Sequence, residues 1–355
     1  MNQPWPKTGL HKIKYMRLEA AILIGVVLVV SACSPRILTP GAATQPASLE
    51  DDRFIMADGA PLPLRRWSPK GKPDAVILAL HGFNDYSKAF EKPATFWAMH
   101  GLLTYAYDQR GFGDGPAPSR WHGATTLTAD LARVSKLIRA RHPNLPLFLL
   151  GESMGGAVIM AATANRDLAE HDGIILSAPA VWARQVMPGW QRAALWLLSH
   201  TAPGLRVSGG GLGRKPSDNL NMLRALSRDP KVIKRTRIDA VFGLVNLMDM
   251  ALAAASGLSG PALILYGKRE DIIPDKARLA LEKKLPGKSC DIKIKEYQSG
   301  YHMLLRDLKA KLVWTDIVDW TANLKEPPLF ASNAERVAAS DGQPQNELAC
   351  EPALP

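Results

Sequence analysis

A serine between two glycines carries the strongest chemical signal in this sequence. Gly151-Glu152-Ser153-Met154-Gly155 is the only Gly-x-Ser-x-Gly of the chain, and it lies between an apolar run and an Ala-rich stretch. A strand-to-helix turn with this pattern exposes the serine hydroxyl, and the positive end of the following helix dipole lies beneath it. The pattern predicts that Ser153 is the nucleophile of an acyl transfer.

A serine hydroxyl reacts only when a neighbouring base takes its proton. Of eight histidines, His302 is the one that follows the last apolar strand-like run, in Ser299-Gly300-Tyr301-His302-Met303. A loop at the carboxyl edge of a parallel sheet would bring it back over Ser153. We therefore predict His302 as the general base.

An acid must orient the histidine and stabilise its cation. The run Ala262 to Tyr266 is followed by Gly267-Lys268-Arg269-Glu270-Asp271-Ile272-Ile273-Pro274, in which two carboxylates compete. The register after the strand decides which of them faces the histidine. We favour Glu270 and keep Asp271 as the alternative acid.

The oxyanion formed in acyl transfer needs two backbone donors that are already in place. Met154 N–H, directly after the nucleophile, is predicted to be one donor. The loop His81-Gly82-Phe83-Asn84-Asp85 follows a predicted strand, and Phe83 N–H is the best candidate for the second. His81 is expected to shape this loop, and Gly82 to permit its turn.

Apolar strand-like runs alternate with helical patterns from about Arg53 onward. Their continuous Val, Ile and Leu content is typical of strands that are buried on both faces of a parallel sheet. The runs are Ala75 to Leu80, Leu102 to Tyr107, Leu147 to Leu150, Gly173 to Leu176, Ala262 to Tyr266 and Ile292 to Tyr297. This alternation predicts an α/β domain at 53–325 with a doubly wound, mostly parallel sheet.

Residues 179–258 interrupt the alternation. The segment is helical in pattern, contains Trp182, Trp190 and Trp196, and shows no convincing strand, so we predict an inserted helical lid. The glycine cluster Gly209 to Gly213 has neither a preceding strand nor a following Gly-Lys-Ser/Thr, so it is expected to be a flexible turn rather than a phosphate loop.

The N-terminus has the layout of a secretory signal. Four basic residues precede the apolar run Ala20 to Val30, which leads to Ser31-Ala32-Cys33. The run is shorter than the roughly 20 residues that span a bilayer, which favours a signal peptide over a transmembrane helix. Val30-Ser31-Ala32-Cys33 resembles the lipobox of bacterial lipoproteins, which implies a lipoprotein signal at 1–33 with lipidation at Cys33. We expect a flexible tether at 34–52 and a disordered tail at 326–355. Met16 is an alternative start.

Composition limits the classes of function. With 46% hydrophobic and 22% charged residues, the chain of 355 residues is typical of a globular protein. The net charge of +11 comes from scattered basic residues without a nucleic-acid motif, so no nucleic-acid partner is expected. Cys290 and Cys350, the cysteines that follow Cys33, are too few for a disulfide scaffold or a four-cysteine metal site. They could pair or remain thiols.

Together these segments resemble the monoacylglycerol lipase and lysophospholipase-like branch of the α/β-hydrolases, which is grouped with the prolyl-type serine aminopeptidases. The resemblance covers roughly residues 53–320 and includes Ser217-Asp218-Asn219 in the lid. It implies that Asp108 to Gly113 forms a structural turn. It also implies the acid position of Glu270, three residues after Gly267, although Asp is commonest there.

The resemblance and the candidate site imply hydrolysis of a carboxylic ester through an acyl-enzyme, without a metal or organic cofactor. A lipid anchor and an apolar lid suit a monoacylglycerol or lysophospholipid, bound at a membrane of the bacterial envelope, with the outer membrane slightly favoured. A prolyl-type peptidase or small-ester esterase is the nearest alternative. A lipoprotein that uses the fold only to bind a ligand is the alternative of a different class.

Overall fold

The computed structural model describes residues 34–164, 167–209, 213–286 and 291–324. A nine-stranded sheet forms the centre of these ranges. Its parallel strands are β4 (Ala75–Leu80), β5 (Leu102–Tyr107), β6 (Leu147–Glu152), β7 (Gly173–Ser177), β10 (Ala262–Gly267) and β11 (Ile292–Tyr297). They lie in the order β5-β4-β6-β7-β10-β11, so the sheet is mostly parallel, as predicted.

Three antiparallel strands extend this sheet beyond β5, and sequence patterns did not reveal them. They are β1 (Ser48–Leu49), β2 (Arg53–Ile55) and β3 (Pro61–Trp67). β3 carries two prolines and two arginines in seven residues, a composition that obscures a strand pattern. Its first residues pair with β2 and its last four with β5, so each neighbour uses a different half of the strand.

Helices cover both faces of the sheet. One face carries α2 (Ala124–Arg141), α3 (Met154–Thr163), α6 (Ile238–Ala254) and α7 (Asp275–Lys284), whose apolar side chains join the larger core cluster. The other face carries α1 (Glu91–Met99) and α8 (Ala310–Asn323), which join a second cluster. The predicted doubly wound α/β fold is confirmed.

The edge strand β11 differs from the prediction that every apolar run is buried on both faces. Within the described chain β11 pairs only with β10, and Ile294 is 45% exposed. Lys293 and Lys295 alternate with isoleucines in this strand, so its pattern is the alternating one of a half-exposed edge strand. Its placement was predicted, but its burial was not.

The segment after residue 33 follows the surface of the domain instead of forming a free tether. Leu38 N–H donates to Trp121 O at 2.8 Å, and Thr44 N–H donates to Ala57 O at 2.8 Å. β1 lies within the predicted tether and pairs with β2. The prediction of a flexible linker at 34–52 is wrong from Leu38 onward, because backbone hydrogen bonds hold this segment on the domain. The sequence did not indicate this, since the small residues of the segment show no apolar pattern.

The insertion predicted at 179–258 contains two different parts. Residues 182–209 and 213–237, which we call the lid, hold α4 (Gly189–Thr201), α5 (Leu220–Arg228) and a short antiparallel pair, β8 (Arg206–Val207) with β9 (Thr236–Arg237). The sequence showed no strand there because each of these strands has two residues. Residues 210–212 of the predicted glycine turn lie outside the described residues, as do 1–33, Cys290 and 326–355.

The helix α6 belongs to the core rather than to the lid. By length and apolar composition, the stretch Ile238–Gly257 could cross a membrane, with a mean hydropathy of 1.6. In the structure α6 packs along α3, and side chains such as Leu247 and Ala251 are fully buried. Its apolar character is therefore explained by the core of the domain.

Candidate active site

Ser153 lies in a strained turn between β6 and α3. Its backbone has φ 52° and ψ −112°, in the positive-φ region that residues other than glycine rarely adopt. Ser153 N–H donates to Ser177 O at 2.9 Å, and Ser153 O accepts from Ala157 N–H at 3.1 Å and Ala180 N–H at 2.9 Å. These bonds hold the strained conformation and present the side chain at the carboxyl edge of the sheet.

The two glycines of the motif lie where no side chain fits. A Cβ atom on Gly155 would lie 2.1 Å from Leu80 O, and one on Gly151 would lie 2.3 Å from Gly156 N. The turn therefore packs directly against β4 and against the start of α3. This close approach explains why the pattern requires glycine at both positions.

His302 reaches Ser153 from the loop after β11. The distance from His302 Nε2 to Ser153 Oγ is 3.0 Å, and Nδ1 lies 2.7 Å from Glu270 Oε2. With the Nδ1 proton donated to this carboxylate, Nε2 is left as the acceptor for the serine hydroxyl. The structure thus brings together the predicted nucleophile, base and favoured acid in one hydrogen-bonded chain.

The two competing carboxylates have different partners. The Glu270 side chain is only 7% exposed, and its Oε1 accepts hydrogen bonds from Ile272 N–H at 2.6 Å and Ile273 N–H at 3.0 Å. Asp271 instead pairs with Arg214 of the lid at 2.6 Å. Glu270 is therefore the acid that contacts His302, and Asp271 joins the loop to the lid.

The charges of this pair stabilise each other. Burial opposes the ionised form of Glu270, but the charge and hydrogen bond of His302 and two backbone donors hold the pKa of Glu270 below its usual value. Burial likewise opposes the His302 cation, yet the carboxylates of Glu270 and Glu152 raise the pKa of His302 above its usual value. Glu270 is consequently ionised at neutral pH.

The predicted oxyanion donors belong to two segments that lie beside Ser153, the Phe83 loop and the turn that continues into Met154. Gly82 approaches closely, since a Cβ atom placed there would be 3.5 Å from Ser153 Cβ. Within the described chain, neither Phe83 N–H nor Met154 N–H donates a hydrogen bond to a protein acceptor. The predicted oxyanion role requires both amides to lack a protein acceptor in this way.

The loop that carries Phe83 is held by the buried side chain of His81 and by a hydrogen bond to the lid. His81 is fully buried; its Nδ1 lies 2.8 Å from Gly82 O, and its Nε2 accepts from Gln109 N–H at 3.1 Å. Asn84 has φ 67°, and its side chain donates to Thr236 Oγ1 at 2.7 Å. His81 thus shapes the loop, and burial holds its pKa below the usual value.

Sequence reasoning missed the charged residues beneath this site. Arg306 contacts Asp85 Oδ2 at 2.7 Å and Glu152 Oε2 at 3.2 Å, and all three side chains are buried. The sequence signal that could have indicated an internal ion pair is an arginine directly after the apolar residues Leu304-Leu305, because a buried arginine needs a partner of opposite charge.

The residues of the candidate site lie within a range that matches a known protein family. A family model described as "Serine aminopeptidase, S33" (Hydrolase_4) matches residues 71–309. The chain belongs to this family. The matched range of this S33 hydrolase includes Ser153, Glu270 and His302, together with both predicted oxyanion donors.

Two proteins of similar sequence and one similar solved structure are named as monoacylglycerol or monoglyceride lipases. The monoacylglycerol lipase of Mycolicibacterium smegmatis is 27% identical over 266 residues, covering 72% of this chain and 90% of the relative. Human monoglyceride lipase is 28% identical over 311 residues, covering 83% and 100%. The crystal structure of Paleococcus ferrophilus monoacylglycerol lipase has a TM-score of 0.59 at 24% identity, covering 74% of this chain and 99% of that one. The predicted family and the α/β-hydrolase fold are confirmed.

Proposed function

We propose that this S33 hydrolase cleaves carboxylic esters through an acyl-enzyme formed on Ser153. The observation that carries the proposal is the hydrogen-bonded chain from Ser153 through His302 to Glu270. Ser153 Oγ attacks the acyl carbon while His302 Nε2 takes its proton and then gives it to the departing alcohol. In the second half, His302 activates water, which releases the acid and regenerates the serine.

Phe83 N–H and Met154 N–H are proposed to bind the oxyanion of both tetrahedral intermediates. Two preorganised backbone donors stabilise the charge that develops in the transition state, at a few kcal/mol each. The strained serine backbone and the close approach of Gly82 support this assignment, because they hold both donor segments beside Oγ.

The proposed substrate is a monoacylglycerol or lysophospholipid. Relatives named as monoacylglycerol lipases support it. So does the lid, where Trp190 is 71% exposed and its helix neighbours Trp196 and Leu197 are also exposed. Exposed apolar groups of this size favour contact with acyl chains or with a lipid surface.

The test compares two substrate series with protein that lacks residues 1–33. We expect the protein to hydrolyse monoacylglycerol. We also expect it to hydrolyse p-nitrophenyl esters, with the highest rate on medium or long acyl chains. Both activities should be lost in Ser153→Ala. Equal rates in parent and variant, or no hydrolysis by either, would overturn the ester-hydrolase proposal. An optimum at acetate with no release from acylglycerol would reject only the lipid substrate.

The family description favours one second candidate, a prolyl-type aminopeptidase. The same serine chemistry would cleave an amide, with the amine as leaving group. Release of naphthylamine from a proline β-naphthylamide, without release of fatty acid from acylglycerol, would select this candidate. Both measurements use one preparation, so they can be compared directly.

We also propose that Cys33 is lipidated and that the protein is held at a membrane of the bacterial envelope, with the outer membrane slightly favoured over the inner one. The path of the following chain supports this arrangement: four residues separate Cys33 from Leu38, which is bonded to Trp121, and the Trp121 ring packs edge-on against Phe83 with centroids 6.3 Å apart. The anchor would thus hold the site close to lipid. Incorporation of labelled palmitate that vanishes in Cys33→Ala is expected; equal labelling would reject the anchor.

A further inference from the structure

A buried arginine joins three segments of the site from below. Arg306 Nη1 lies 2.7 Å from Asp85 Oδ2, and Nη2 lies 3.2 Å from Glu152 Oε2. The side chains are 8%, 7% and 3% exposed, respectively. Burial of three charged groups is unfavourable unless they compensate one another, so this contact has a definite structural consequence.

Each partner belongs to a segment that carries one part of the proposed reaction. Asp85 belongs to the loop that carries Phe83, Glu152 directly precedes Ser153, and Arg306 follows His302 by four residues. One guanidinium therefore spans the oxyanion loop, the nucleophile turn and the histidine loop. A fork with several N–H donors suits such a bridge, whereas an ammonium acts as a single point charge.

The cluster formed by Arg306, Asp85 and Glu152 contains two carboxylates and one cation, so it carries one excess negative charge. Among the charged groups around His302, Glu270 comes from the loop after β10, Glu152 from β6 and Arg306 from its own loop. From the lid, Lys215 lies over the Tyr301 ring, and Arg214 is paired with Asp271. Asp307 accepts the Tyr301 amide at 2.7 Å. Glu152 directly precedes Ser153, whose Oγ lies 3.0 Å from His302 Nε2, so its buried carboxylate is a second negative charge, besides Glu270, in the neighbourhood of the imidazole.

We propose that Arg306 and Glu152 are positioning residues: Arg306 holds the three segments in register, and the Glu152 carboxylate favours the His302 cation formed during the reaction. This inference rests on the proposed function. The field of Glu152 raises the pKa of His302, while Arg306 opposes it in part. The two residues therefore make separable contributions, one of charge and one of geometry.

Two conservative variants separate these contributions. Glu152→Gln keeps the shape but removes the charge, so the acid limb of kcat/KM should move to lower pH by about half a unit. Arg306→Lys keeps the charge but loses the fork, so kcat should fall about tenfold while the acid limb stays in place. Glu296→Gln on the edge strand β11 removes a carboxylate that pairs with Arg278 and is the matched control.

All rates are divided by the number of sites that a fluorophosphonate titrates, so partly unfolded variants remain interpretable. Parent activity that disappears in Ser153→Ala secures the proposed function before the pH profiles are compared. An unchanged acid limb in Glu152→Gln, or an equal shift in Glu296→Gln, would overturn the charge role. An unchanged kcat per titrated site in Arg306→Lys, even with a lower melting temperature, would overturn the role in register.

Discussion

The hydroxyl of Ser217 in the lid donates a 2.5 Å hydrogen bond to Asp307 Oδ1 in the histidine loop. Asp307 Oδ2 accepts from Tyr301 N–H at 2.7 Å, and Tyr301 directly precedes His302. Met303 N–H also donates to Pro216 O at 2.9 Å. The base of the lid and the loop that carries His302 thus form one hydrogen-bonded unit, in which displacement of one part would disturb the other.

Replacing Ser217 with alanine should weaken this unit. A buried carboxylate loses a donor, which is expected to lower the free energy of unfolding by about 1–2 kcal/mol and to reduce kcat because the His302 loop relaxes. Urea unfolding and p-nitrophenyl ester kinetics check both effects. Ser227→Ala, whose hydroxyl donates to Arg224 O on an exposed helix, is the control and should change neither the stability nor kcat. Identical behaviour of the two variants would contradict the coupling.

Asp307 should make stability depend on pH. Burial, only partly offset by Ser217 and Tyr301, raises the pKa of Asp307 from 3.8 to about 6. Because the folded-state pKa exceeds the unfolded value, the protonated Asp307 carboxyl adds to the free energy of unfolding at low pH. This contribution of Asp307 is lost as pH rises through 6. Between pH 4 and 7 the parent should lose at most about 3 kcal/mol relative to Asp307→Asn. Parallel stability curves from urea unfolding would contradict this.

Of the adjacent carboxylates, only Glu270 should matter strongly for turnover. Glu270→Gln removes the charge that orients His302 and supports its cation, so kcat should fall by about 10²–10⁴. Asp271→Asn breaks a partly exposed pair with Arg214, and kcat should change by less than about threefold. Steady-state kinetics on one soluble ester compares them. A larger loss in Asp271→Asn would reverse the assignment of the acid.

The raised pKa of His302 sets the acidic limit of activity. The neutral imidazole is the base, so kcat/KM should decrease as pH falls through a value above the ordinary 6.5 of histidine. The pH profile of ester hydrolysis between pH 5 and 9 measures this limb. Protonation well below pH 6 would mean that the Glu270 carboxylate does not support the cation in solution.

Gly155→Ala should abolish folding of the nucleophile turn. The added methyl would lie 2.1 Å from Leu80 O, which is backbone in the centre of the sheet and cannot move aside. We expect loss of hydrolysis together with loss of soluble, cooperatively unfolding protein. Gly209→Ala in the lid, where no atom of the described residues lies within 4 Å of an added Cβ, is the control and should retain both properties. Normal activity of Gly155→Ala would contradict this packing.

The parallel half of the fold could be predicted because each of its central strands is a continuous apolar run. Local patterns failed where stability comes from pairing over distance. Pro61 and Arg65 hide β3, which is stabilised by its neighbours on both sides. The helix α6 lies inside a region that looked like a lid, and only its packing on α3 shows that it belongs to the core.

In the site, Ser153 and His302 could be proposed from the sequence because each follows a recognisable strand and loop pattern. The choice between Glu270 and Asp271 required the direction of two side chains after the same strand. The contacts of Arg306 with Asp85 and Glu152 join positions far apart in the chain, and no local pattern reports such a pairing.

The course of the N-terminal segment has a practical consequence for engineering. Because Leu38 is bonded to Trp121 beside Phe83, whatever is fused ahead of Ser34 is delivered close to the reaction centre. The helix α8 ends near the amino ends of the parallel strands, whereas the site lies at their carboxyl ends. There Trp320 packs against Gly173 at the start of β7. A reporter or solid support joined at the front of the chain would compete with substrate for space, whereas one carried behind α8 would leave the reaction centre open.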